Sequence, residues 1–124
     1  MEEKEPIVIP YKVEMDLETI IRFQVIFVSF INGISLTTSD INTLVLLGLK
    51  GQQNLLSYCH ELAVRKIYAS PGSARNTIGK LTDSGLIIKS GRSKKKVKLA
   101  DAVFTILEQP TFLNIQCYYD PNKV

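Results

Sequence analysis

Ser70-Pro71-Gly72-Ser73-Ala74-Arg75-Asn76-Thr77-Ile78-Gly79-Lys80-Leu81-Thr82-Asp83-Ser84-Gly85-Leu86-Ile87 is the stretch whose reading decides the fold. Serine followed by proline is the preferred opening of a helix. The hydroxyl accepts a bond from a first-turn backbone N–H, and proline's missing N–H is not needed there. Ala74, Ile78 and Leu81 then recur at i, i+4 and i+7, an inner apolar stripe. Ser73, Asn76 and Lys80 lie about half a turn away. Gly85 supplies a left-handed C-terminal cap, so the pattern predicts a helix running to Ser84.

Downstream, Leu86 to Ser90 and Lys95 to Leu99 read as two strands joined by Gly91-Arg92-Ser93-Lys94, a hairpin. Val97 and Leu99 point one way, and Lys96 and Lys98 the other. Asp101 to Glu108 reads as a short helix stopped by Pro110. Phe112 to Tyr119 alternates Leu113, Ile115, Cys117 and Tyr119, a final strand placed to pair with the N-terminal arm. Upstream, Leu55, Cys59, Leu62 and Ala63 give one face of a helix from about Gln53 to Tyr68. Thr37 and Asp40 form a capping box ahead of a helix from about Ser39 to Lys50. Asn32-Gly33 is a break. Between Leu17 and Ile31 the reading is a helix capped by Asp16. A strand is the alternative, because Phe23, Val25, Ile26, Phe27, Val28 and Phe30 are β-formers and Arg22 and Gln24 alternate. Ile7 to Met15 is rich in β-formers but interrupted by Pro10, an edge strand or extended arm.

The segment from Ser70 to Ile87 resembles the recognition helix and its exit in MarR-type and related winged helix-turn-helix regulators. Leu36-Thr37-Thr38-Ser39-Asp40 is similar to the start of the first helix in the same families. The resemblance covers about residues 34–100. It implies an α+β, mostly helical fold: three helices and a β-hairpin wing, with an extra N-terminal strand/helix and a C-terminal strand. The 124 residues fit one domain. On this reading 1–33 is an N-terminal arm and helix, 34–100 the winged-helix core, and 101–124 a C-terminal extension. Two departures stand out. Ala63 to Ala69 is longer than the tight turn usual between the second and third helices. The presumptive reading face, Gly72, Ser73, Asn76, Gly79 and Lys80, has few large side chains.

The net charge of +3 conceals a split. From Arg65 to Lys98 there are ten basic residues and one acid, Asp83, for +9; the remainder carries −6. Hydrophobic residues at 45% and charged residues at 22% describe an ordinary globular chain rather than a disordered one. Cys59 and Cys117 have no metal-type spacing and read as two buried thiols in a reducing compartment. The acidic start lacks a signal peptide's basic n-region. Val25 to Ile31 is far short of the roughly 20 residues that span a bilayer. The expectation is a cytoplasmic protein, or part of a particle assembled there, with no membrane association.

Enzyme chemistry finds no inventory here. His60 is the only histidine. Its neighbour Cys59 points about 100° away on a helix, so the two are not a dyad by adjacency. No acidic cluster has metal spacing and no glycine-rich phosphate loop is present, so neither a metal nor another cofactor is expected. The basic segment suits double-stranded DNA instead, because Lys and Arg that contact phosphates release condensed counterions. Candidate contacts are Ser73, Arg75, Asn76 and Lys80 on the third helix and Lys89, Arg92, Lys94, Lys95, Lys96 and Lys98 in the wing. In a major groove Asn76 would pair with adenine, and Lys80 with guanine or phosphate. The wing would track the backbone or enter the minor groove. Such a protein would be a small transcriptional regulator or replication accessory factor. The resemblance also implies a homodimer, for which Ile20, Phe23, Phe27 and Phe30 of the 17–31 segment are the candidates. The alternative is a structural or docking protein of a larger assembly, for example a phage particle, whose neighbouring subunits meet the same apolar stretch and the arm.

Overall fold

The computed structural model describes residues 4–9, 13–103 and 117–123. Among them the chain forms four helices and a small three-stranded antiparallel sheet, an α+β arrangement that is mostly helical. The order is α1 (Leu17–Ile31), α2 (Thr38–Lys50), β1 (Gln53–Asn54), α3 (Leu55–Val64), α4 (Pro71–Asp83), β2 (Ile87–Ser90), a 3-10 turn (Arg92–Lys94) and β3 (Lys96–Leu99).

Each helix opens where its cap dictates. Asp16 Oδ1 accepts from Thr19 N at 2.7 Å, and 17–31 is a helix despite its β-formers. Thr37 and Asp40 form the full reciprocal capping box. Ser70 caps α4 with Pro71 at its start. The third helical segment departs from expectation at both ends. Asn54 accepts from Ser57 N and so begins α3 there, while Gln53 and Asn54 pair with Val97 and Lys96 as β1. At the far end Lys66 turns left-handed (φ 60°), and Ile67 N reaches Leu62 O at 3.0 Å. That bond closes the helix before Tyr68. The residues that lengthen the connection to α4 therefore form a capped turn.

The exit from α4 sets the sheet. Gly85 has φ 83°, where a side chain would be strained. It lets Leu86 N bond Leu81 O at 3.1 Å, and both leucines are buried. The chain then runs directly into β2, which pairs with β3 from Ile87↔Leu99 to Ser90↔Lys96. Strand order is β1-β3-β2. The hairpin is closed at its base, where Ala100 N donates to Leu86 O, and tied to α3, where Leu55 N donates to Lys95 O.

One core gathers Ile21 and Val25 of α1, Leu44 and Leu47 of α2, Leu62 of α3, and the Ala74, Ile78 and Leu81 stripe of α4. Val97 and Leu99 close it from the sheet. Tyr58 is buried there as well, its hydroxyl donating to the carbonyl of Thr43. Thus α1 contributes to the core through Ile21 and Val25. Its interior face meets α2 where Gly48 stands. A β-carbon there would lie 2.9 Å from Ile21 Cγ2 and 3.1 Å from Leu99 Cδ2.

Several terminal expectations are corrected. Residues 4–9 and 13–16 form no strand, and Ile7, Val8 and Ile9 are exposed. Asp101 to Val103 is a turn, not the start of a helix, with Val103 buried against the core. Residues 117–119 are in no strand, and Cys117 is exposed where a buried thiol was expected. The rest of the predicted 101–108 helix and 112–119 strand, and the interruption at Pro10, lie outside the described residues. No helix among the described residues is long and apolar enough to cross a membrane.

The α1–α2 approach is directly testable. Gly48→Val should lower the unfolding free energy by about 1–3 kcal/mol through overpacking, read as a reduced urea midpoint. Undiminished stability would show that the two helices part without cost.

Candidate nucleic-acid interface

The basic residues predicted from sequence do not all share one face. On α4, Ser73, Asn76 and Lys80 are exposed along the side opposite the core stripe. Ser73 is partly engaged in the cap, its N–H bonded to Ser70 Oγ at 3.2 Å. Arg75 is exposed about 100° round the helix from Asn76, on the flank towards the hairpin. In the hairpin, β2–β3 pairing puts Lys89 opposite Val97, hence on the inward side of the sheet and half-buried. Lys96 and Lys98 stand on the other side, alternating with buried Val97 and Leu99. Arg92 and Lys94 occupy the 3-10 turn, and Lys95 joins it to β3.

Four of these cations converge. Arg75, Lys89, Lys94 and Lys95 line a cavity of about 280 Å³, whose remaining wall includes Asn54 and Leu56 at the start of α3. Cys59 lies close enough to feel two of them. Burial pushes its thiol above the ordinary range, and the charges of Arg75 and Lys89 act against that rise. The thiol is 2% exposed and is a core group.

Two other cations of the +9 segment, Arg65 and Lys98, have acidic partners. Arg65 pairs with Glu61 at 3.2 Å, and Glu61 also holds Lys50 at 2.8 Å, joining α2 to α3. The bond to Lys50, partly opposed by burial, holds the Glu61 carboxyl below its usual range. Lys98 lies 3.7 Å from Asp101. The four cavity cations have no carboxylate within ion-pair distance among the described residues. Sequence reasoning found all four but missed Asn54 and Leu56. The signal for Asn54 was its own capping chemistry, since asparagine before an apolar run is a helix start. His60 is exposed on α3, away from any cluster of three metal-ligating side chains among the described residues. Compared with known proteins, the chain matches no family model, no curated protein and no solved structure.

The outer face of α4 also carries Gly79, and a β-carbon there would meet nothing within 4 Å. A helix-interior glycine without a packing neighbour costs stability. Gly79→Ala should therefore raise the unfolding free energy by about 1 kcal/mol, seen as a higher thermal midpoint. A loss instead would reveal a structural need for the glycine.

Proposed function

We propose that this chain is a DNA-binding protein of the winged helix-turn-helix kind, a small transcriptional regulator or replication accessory factor. The observation that carries the reading is the group of four cations beside the exposed face of α4, with no carboxylate in ion-pair distance among the described residues. The order of α2, α3, α4 and hairpin agrees with it, as does the anchoring of that hairpin onto the start of α3. In this reading α4 enters the major groove, where Asn76 pairs with adenine and Lys80 with guanine or phosphate. Lys94, Lys95 and Lys96 follow the backbone. The small side chains of α4 make it a sparse reader of bases, so most of the affinity is electrostatic.

Five neutralised phosphates would give a log–log salt slope of about −4 to −5 on duplex DNA. Replacing Lys94, Lys95 and Lys96 with alanine should flatten that slope by about one unit per lost contact. An unchanged slope would remove the hairpin from the interface.

The reading extends to a homodimer formed through α1. Ile21, Val25 and Ser29 face the core, while Phe23, Ile26, Phe30 and Ile31 remain exposed, Phe30 at 82%. Phe23 and Phe27 stack with ring centroids 6.1 Å apart. A second copy on this stripe would present two reading helices to a two-fold site. The same stripe favours the second reading, a docking subunit of a larger assembly such as a phage particle. Sedimentation equilibrium is expected to show a dimer that Phe30→Glu converts to monomer. A monomeric parent lacking duplex affinity would favour docking.

A further inference from the structure

We infer that the cavity lined by Arg75, Lys89, Lys94, Lys95, Asn54 and Leu56 is a binding site for a phosphate group. The inference goes beyond the nucleic-acid reading and rests on it only if the phosphate belongs to a duplex.

Three features make this a site. First, the wall is cationic from two separate elements, α4 and the hairpin, and no carboxylate among the described residues lines it. Like charges gathered around one concavity repel, and an anion between them turns that repulsion into attraction. Second, the remaining wall is the start of α3, a ten-residue helix whose first turn carries partial positive charge. Asn54 is already oriented there. Its Oδ1 accepts from Ser57 N at 3.1 Å, leaving the Nδ2 hydrogens as donors. Third, about 280 Å³ is just below the ~300–1,000 Å³ of pockets for drug-sized ligands. The space suits one phosphate with a small substituent or its waters. The ligand chemistry is therefore a phosphate mono- or diester, from a nucleic-acid backbone or from a free phosphorylated compound.

Leu56 provides the lever. It is 54% exposed on the cavity wall, in the first turn of α3. Leu56→Asp puts a carboxylate into the cavity at a position where an acid favours the helix. Thr38→Asp, in the exposed first turn of α2, is the charge-matched control. Amide chemical shifts followed during titration with inorganic phosphate, at constant ionic strength in chloride, give the first arm. Saturable shifts at Asn54, Leu56, Lys89 and Ser93 to Lys95 are expected, abolished by Leu56→Asp and retained by Thr38→Asp. The same spectra report whether each variant is folded, and Arg75→Gln serves if Leu56→Asp is not. Salt-dependent duplex binding is the second arm. A slope flattened by about 0.9 in Leu56→Asp alone assigns one backbone phosphate to the cavity. An unchanged slope with phosphate uptake lost assigns a free phosphorylated compound. Shifts that fail to saturate, spread over all basic residues or survive Leu56→Asp overturn the proposal. Duplex binding that persists in that case leaves the nucleic-acid reading standing. Phosphate uptake by a chain without duplex affinity leaves only the cavity.

Discussion

Everything on the basic side of this molecule depends on how α4 ends. The left-handed turn at Gly85 carries Leu86 back over Leu81, and the bond from Leu86 N to Leu81 O fixes the direction in which β2 departs. Because Leu86 is also the acceptor for Ala100 N, the outgoing and returning strands are held at the same point. Val97 and Leu99 are thereby seated in the core, and the 2-residue alternation of a strand turns Lys96 and Lys98 outward. The second tie, from Leu55 N to Lys95 O, brings the hairpin tip to the first turn of α3. The cavity lies beside this second tie, with Leu55 and Lys95 in its wall together with Arg75.

Where information was local, the sequence was legible. Ser70-Pro71, the Thr37 and Asp40 box, and the Leu81, Gly85, Leu86 spacing each act within a few residues, and each element they announce is found within one or two positions. The opposing β propensity of 17–31 lost to an Asp16 cap and to burial of Ile21 and Val25 against α2. What escaped was non-local or unmarked. β1 is two residues long and exists only because β3 lies beside it. The end of α3 rests on a left-handed lysine, a conformation with no signature in residue type. Tyr58 carries no local signal, because its buried hydroxyl finds its acceptor on α2, fifteen positions away. The basic residues were all visible, but their division between two sides of a sheet follows from register.

Charge in three dimensions is sparser than charge along the chain. Glu61 is claimed by Lys50 and Arg65, so an acid outside the basic run offsets a cation inside it and ties two helices together. Lys98 is drawn towards Asp101. These exposed or half-exposed pairs each add little stability. They leave Arg75, Lys89, Lys94 and Lys95 as a group with no acid in ion-pair distance among the described residues.

The two backbone ties also separate what the hairpin tip does from what holds the fold. Leu86–Ala100 closes the ribbon's base and Leu55–Lys95 joins it to α3, while Arg92, Ser93 and Lys94 bury nothing. Lengthening a loop whose ends are already fixed costs only slowly rising closure entropy. Exposed polar tips are also where inserted residues are best tolerated. The reach and charge of this ribbon can therefore be altered by changes that the core never senses.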